Sequence, residues 1–426
     1  MMTNIKKSLR TRLGFFLAIM GPGVVTAFAD NDAGGIATYA AAGAKYGYGL
    51  LFTVLISSVC LAIAQEISAR TGAVTGRGLS DLIRELFGVK WTFFAMTVLL
   101  IANIGTTASE FSGIATSFEI FGVSKFISVP IMAFLVWWLV LKGDYSRIEK
   151  IFFVLCATFL SYIVSGIIIN PPWEEVFLAT VTPTFSGDGE FLMMAVGVIG
   201  TTITPWGQFY IQAAVVDKGI TAKDYRYTFW DVMLGAFFTW LIAFFIIVAT
   251  AATLYANNIS IETVKDAAVA LEPLAGKYAS ILFSFGLLGA SMLAAFILPL
   301  STAYAVCEAF GFESGVSKTS KEAPVFFTIY TVLILLGAGI ALWPGLSLYK
   351  VMLASQVING VLLPPILIFM VLIASNGLIM GKHVNKTWYN LVSWTFTIFL
   401  ILLTLLLLLS TIAPSLLEYV LGFIKL

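Results

Sequence analysis

The sequence predicts an all-α integral membrane protein of about eleven transmembrane helices. They are arranged as two inverted halves of five, with broken helices 1 and 6 and one extra C-terminal helix. Three observations predict this. Hydrophobic residues make up 59% of the 426 positions and charged residues only 11%, too oily a mixture for a soluble globule. Apolar stretches of about 20 residues, long enough to cross a bilayer as helix, recur along the whole chain. The two stretches that are interrupted by polar or helix-breaking residues stand five spans apart. Five is odd, so a second half built on the first enters the membrane upside down, as in transporters with inverted repeats.

The spans run near 13–43, 48–68, 92–120, 126–142, 148–169, 190–216, 228–255, 277–307, 325–343, 349–375 and 388–411. The inverted repeats are expected at about 13–169 and 190–375, and the extra helix at about 388–411. The longest polar stretches, 68–91, 170–190 and 255–277, are too short for separate folded units, so residues 1–426 read as a single transmembrane transporter domain. Lys6, Lys7, Arg10 and Arg12 before an apolar run resemble a signal peptide, but no small-residue cleavage pattern ends that run. It reads as the start of the first span.

The first span carries Ala29-Asp30-Asn31-Asp32-Ala33-Gly34-Gly35 at its middle. A charge at that depth costs at least about 2.5 kcal/mol and therefore faces a cavity or binds something. The Gly-Gly pair is expected to let the helix unwind there, which is tolerated only where backbone lines a site. The sixth span reads Gly200-Thr201-Thr202-Ile203-Thr204-Pro205-Trp206. Its proline lacks a donor and frees carbonyls near Thr201. A ligand-free kink is the plain alternative, but the partner break holds Asp32.

Glu110 in the third span shares a helical face with Asn103 and with Thr106 or Thr107. It either belongs to an ion path or is neutral and hydrogen-bonded between helices. Gln356 and Asn359 share a face of the tenth span ahead of Pro364-Pro365, where helix–helix bonding and ligand contact are both open. Asp30 binds cation, caps a helix end or faces a vestibule. Cys60, Cys156 and Cys307 lie in apolar segments and fit no metal spacing, so they read as packing residues. The single histidine, His383, is in a polar loop, which argues against a histidine metal site. Trp137, Trp138 and Trp173 read as interface anchors.

Most of the 24 Lys and Arg fall in alternate connections on the side of the N-terminus. Lys45, Lys125, Lys265, Lys277, Lys350 and Lys425 fall on the other. The positive-inside rule then places the N-terminus in the cytoplasm and the C-terminus outside, in the plasma membrane. A net charge near zero gives no reason to expect a nucleic-acid partner.

Several motifs now resemble one family, the Nramp divalent-metal transporters. Asp32-Ala33-Gly34-Gly35-Ile36-Ala37-Thr38 is similar to the family's D-P-G-N-F-A-T. It continues through Ala42-Gly43-Ala44-Lys45-Tyr46-Gly47-Tyr48, similar to A-G-A-x-Y-G-Y. Leu353-Ala354-Ser355-Gln356-Val357 resembles L-x-S-Q-V, and Glu110 with Gly113 falls on A-E-x-x-G. The resemblance implies a LeuT-like fold and a metal site on Asp32, Glu110, Gln356, the positions Gly35 and Thr204, and the carbonyls of Ala29 and Thr201. Departures narrow it. The family's Asn is Gly35, its M-P-H is Thr204-Pro205-Trp206, and its relay histidines and acid become Trp206, Ile211 and Thr107. That pattern resembles the Nramp-related magnesium transporters.

Chemistry supports that branch. Thioether sulfur favours transition metals, whereas oxygen donors suit Mg2+ and Mn2+. Mg2+ keeps several waters and binds through one or two carboxylates. The expectation is a transporter, not an enzyme, that carries Mg2+ or Mn2+ partly hydrated by alternating access, without protons. It needs no cofactor and works as a monomer in the lipid bilayer. The rivals are a proton-coupled Mn2+/Fe2+ transporter, an amino-acid symporter of the same architecture, whose substrate carboxylate Asp32 would repel, and a membrane-embedded transferase, for which no second aspartate-rich loop exists.

Overall fold

The computed structural model describes residues 21–142, 158, 160–186, 188–316 and 318–412. The start of the first span, most of the fifth, Cys156, the N-terminal basic cluster, Arg147, Lys150 and Lys425 lie outside the described residues. No strand occurs among the described residues.

The first span is two helices, α1 (Pro22–Asp30) and α2 (Ala33–Tyr46), separated at Asn31 and Asp32. Helix α3 covers Leu51–Thr75 and α4 covers Leu79–Ile120. Next come α5 (Lys125–Leu141), α6 (Leu160–Ile168) and the short α7 (Trp173–Val181). The sixth span is again two helices, α8 (Gly189–Thr202) and α9 (Pro205–Asp217). The remaining long helices are α10 (Tyr225–Thr253), α11 (Ala279–Phe310), α12 (Pro324–Leu342), α13 (Leu348–Ala374) and α14 (Thr387–Ile412). Breaks in the first and sixth spans and an added helix at the end match the expected architecture.

The expected polar loop 68–91 is instead nearly all helix. Arg70 is buried inside α3, where it pairs with Glu66 one turn earlier at 2.9 Å. Beyond the link at 76–78, Leu79, Leu82 and Ile83 recur at helical spacing and bury their side chains. The chain then bends at Gly88, whose φ of 80° suits glycine, and runs on into the third span.

Two groups of helices position the centre. Helices α1, α2 and α3 pack with α10, and α9 packs on α3, whereas α4 packs against α11, α12 and α13. Helix α8 lies on α13 so closely that a Cβ on Gly200 or Gly360 would strike the opposite backbone. Polar side chains within the spans are largely absorbed locally. Thr106, Thr107, Ser112 and Ser117 each donate to the carbonyl four residues earlier.

The two ends of the bundle differ. At the end carrying Lys45, a cavity of about 680 Å3 opens between α2, α8 and α13, lined by Thr38, Gly197, Tyr349, Leu353 and Val357. Lys45 pairs with Glu190 at its margin, where a second cavity adjoins. At the opposite end, Arg70 also donates to the His383 carbonyl and to Asn385, and Tyr225 donates to Glu66. This ties α3 to α10 and to the α13–α14 connection. Asp231 of α10 accepts from the backbone N–H groups of Gly21 and Gly23 at 3.1 and 2.7 Å, holding the start of α1.

Candidate metal centre

A helix cannot continue through Asn31 and Asp32, because Asp32 stands in extended backbone (ψ −178°) and caps α2. Its carboxylate accepts from the Gly35 N–H at 2.6 Å, satisfying one of the donors every helix start leaves open. Gly34 and Gly35 are therefore not the unwound residues that the sequence suggested. They form the first turn of α2, and the carboxylate cap upstream of them sets the break. Their missing side chains serve space. A Cβ on Gly34 would overlap the Gln356 amide, and one on Gly35 would lie 2.8 Å from the Thr201 hydroxyl oxygen and 3.2 Å from Asp32 Oδ1.

Around that cap the structure gathers most of the residues expected from sequence. Gln356 of α13 donates its Nε2 to Asp32 Oδ1 at 3.1 Å, and Asn359 steadies the amide by donating to Gln356 Oε1 at 2.9 Å. Glu110 of α4 accepts from the Ala33 N–H at 3.3 Å, so its carboxyl comes up against that of Asp32. Asp32, Glu110, Gln356 and Thr201 are all fully buried. Two carboxyl groups in contact away from water need a shared proton or a cation. Two oxygens here have no hydrogen-bond partner, Glu110 Oε1 and the Thr201 hydroxyl. Such orphaned acceptors suit a hard cation or its water.

The two expected carbonyls fit less directly. Ala29 is buried in the last turn of α1, where carbonyls lack intrahelical donors. Pro205 supplies no N–H for the Thr201 carbonyl four residues before it. Thr204 departs from expectation: its hydroxyl donates to Asp30 Oδ1 at 3.0 Å and makes no bond to Asp32. Thr204 stands just before α9, which runs toward the Arg70 end, and there the carboxylate within reach is that of Asp30.

The sequence reading missed Gln65. It donates to Asp30 Oδ2 at 3.1 Å from the middle of α3. A glutamine inside an apolar span, next to Glu66, was the available signal. Among the described residues no cluster of three or more His, Cys, Asp or Glu could hold a metal. A cation placed here would meet two carboxylates, Asp32 and Glu110, and the Thr201 hydroxyl.

Known proteins resemble this chain along nearly its whole length. Residues 23–410 match the family model of the natural resistance-associated macrophage protein-like proteins, Nramp. The divalent metal cation transporter MntH of Bacillus subtilis (strain 168) is 25% identical over 410 residues, 93% of this chain and 92% of its own. MntH 1 of Pseudomonas aeruginosa is 29% identical over 397 residues, 88% of both chains. Among solved structures, the Eremococcus coleocola manganese transporter, bound to an aromatic bis-isothiourea compound, superposes with a TM-score of 0.75 at 22% identity, over 94% of this chain and 88% of that one. MhsT in complex with L-phenylalanine superposes with a TM-score of 0.62 at 18% identity, over 94% and 98%. At these identities the structures speak for the fold, which hosts metal and amino-acid ligands alike. The family match spans nearly the whole chain, breaks and scaffold together, and the chain belongs to the Nramp family.

Proposed function

We propose that this protein carries Mg2+, and Mn2+ beside it, across the plasma membrane by alternating access, partly hydrated and without moving protons. The observation that carries the reading is the donor set. Around the first break the side-chain donors are the oxygens of Asp32, Glu110 and Thr201, with the Gln356 amide against Asp32, and Thr204 holds the position of the family's thioether. Oxygen donors favour Mg2+ and Mn2+ over softer metals. The bare backbone at Gly34 and Gly35 lets the Gln356 amide and the Thr201 hydroxyl close in on Asp32, and Mg2+ bound through one or two carboxylates usually keeps several waters. The curated relatives are divalent metal cation transporters, and membership of their family makes this chain a transporter, not an enzyme.

Proton independence rests on the relay positions. Thr107 spends its hydroxyl on the Asn103 carbonyl at 2.6 Å, and Trp206 and Ile211 are fully buried. An amino-acid substrate fits poorly, because the α2 N–H groups that would hold its carboxylate already serve Glu110 and Asp32. The one-sided cavity supports alternating access. Its floor at Thr38, Gly197 and Val357 is within about one helical turn of Gly34, Thr201 and Gln356, whereas the Arg70 end is tied shut. In this reading the Lys45 end is extracellular, the N-terminus cytoplasmic and the C-terminus extracellular. The halves at about 13–169 and 190–375 rock against each other in a single domain, which acts as a monomer.

Voltage suffices as the driving force. One charge crossing 100 mV is worth roughly 2.3 kcal/mol, so a divalent cation gains about 4.6 kcal/mol, enough for roughly thousandfold accumulation. The test is purified protein in liposomes containing a Mg2+ reporter and a pH reporter. Saturable Mg2+ uptake, enhanced by an inside-negative potential and without acidification, is the expected result. The contact of Glu110 with Asp32 favours one rival, proton-coupled Mn2+/Fe2+ transport. Acidification that scales with flux and disappears in Glu110→Gln would establish that rival instead.

A further inference from the structure

We propose that Asp30, Thr204 and Gln65 form a second cation station, which receives the metal ion from Asp32 and passes it toward the Arg70 end. The proposal rests on the transport reading above and adds a step to it. Although only two positions apart, the two aspartates face different helices. Asp32 caps α2, which runs to the Lys45 end, and meets α13 and α4. Asp30 ends α1, which arrives from the opposite end, and meets α3 and α9. An ion descending from the Lys45 cavity therefore reaches Asp32 first and Asp30 second.

The surroundings of Asp30 are built for a cation rather than for a buried structural anion. The carboxylate is fully buried, and both hydrogen bonds to it come from neutral groups, the Thr204 hydroxyl and the Gln65 amide. An unpaired buried carboxylate costs several kcal/mol, which neutral donors offset only in part. Three fully buried amide oxygens nearby lack any partner: Gln65 Oε1, on the very amide that touches Asp30; Asn31 Oδ1, on the next residue; and Gln208 Oε1, one turn along α9 from Thr204. Rotating the Gln65 amide presents its oxygen in place of its nitrogen. One carboxylate, one hydroxyl and amide oxygens make a hard donor set with few charges, suited to brief residence of Mg2+ or Mn2+. Tight binding is not needed at a station that must release.

Asp30→Asn keeps shape and one acceptor oxygen while removing charge, and a split between binding and flux is the readout. Equilibrium dialysis of the detergent-purified variant against Mn2+ should give a Kd within about threefold of wild type, since the Asp32 group is intact. Mn2+ flux into liposomes should fall about tenfold or more. Gln65→Leu, which leaves both aspartates, should show the same split more weakly and replaces Asp30→Asn if that variant does not fold. Wild-type flux in Asp30→Asn would overturn the station. So would loss of binding in step with flux, which would merge Asp30 into the first site. A wild-type protein that moves neither Mg2+ nor Mn2+ would instead bring down the transport reading itself.

Discussion

The two broken helices are built for the same purpose by different chemistry. At the α1–α2 break the chain is held by a charge: Asp32 leaves the helix and caps α2 through Gly35 at 2.6 Å. At the α8–α9 break it is held by covalent structure: Thr204 makes no side-chain cap, and Pro205 opens α9. A proline break is permanent, because the missing donor cannot be restored. A carboxylate cap is conditional, since a bound cation competes for the same oxygens. Under the proposed function the first break can therefore respond to the ion, and the second provides a fixed wall whose Thr201 hydroxyl faces Gly35. An inverted repeat thus supplies matching geometry, while each half supplies its own chemistry.

The largest effect should come from removing the conditional break. Asp32→Ala loses the ion's main charge, so uptake of Mg2+ and Mn2+ in liposomes should fall at least about hundredfold. The lost cap itself costs only about 1 kcal/mol, so the variant should still purify as a folded, membrane-inserted protein. Flux at the wild-type level would mean that the first break carries no charge chemistry and that the two breaks are equivalent.

Mending the fixed break should do less. Pro205→Ala restores an N–H that can bond the Thr201 carbonyl, and alanine is about 3 kcal/mol better than proline inside a helix. Helices α8 and α9 then gain the option to join, withdrawing one oxygen from the site while leaving every carboxylate in place. Flux should drop about tenfold and Mn2+ affinity by less, because a neutral carbonyl contributes less than a carboxylate. Unchanged flux would show that the proline only shapes the bundle.

Much of this was legible in the sequence because membrane physics writes in long runs. Apolar length gave the spans, and the five-span offset between Asp32 and Pro205 located the paired breaks. Glu110, Gln356 and Asp32 stood out because polar groups at mid-span are expensive. What stayed hidden depends on rotation about helix axes. Nothing in the order of residues says that Asp30 and Asp32 face opposite partners, or that Thr204 reaches the former. The helix of 79–91 was hidden by its charges: Arg77, Asp81, Arg84 and Glu85 read as a loop, although Leu82 and Ile83 between them are buried. Glu66 and Arg70 were concealed likewise, a pair neutralised within one helix.

The smallest and most specific effect concerns selectivity, and it asks whether the second break can be given the metal chemistry it lacks. Thr204→Met places a thioether at the second break, and Gly35→Asn adds an amide to the first. The asparagine must displace a neighbour, because a Cβ at position 35 already lies 2.8 Å from the Thr201 hydroxyl oxygen. That narrows the space for retained water, which disfavours Mg2+ more than a readily dehydrated soft ion. Thr204→Met alone also strips Asp30 of its hydroxyl donor, so the single variant should lose flux without gaining selectivity. The double variant should bind Cd2+ about tenfold more tightly against Mg2+ competition, worth about 1.4 kcal/mol, with Mg2+ flux reduced. Competition of Cd2+ with Mg2+ flux in liposomes measures it. If the double variant competes as the wild type does, Gly35 and Thr204 do not set the preference, and selection must lie with the carboxylates and amides that both proteins share.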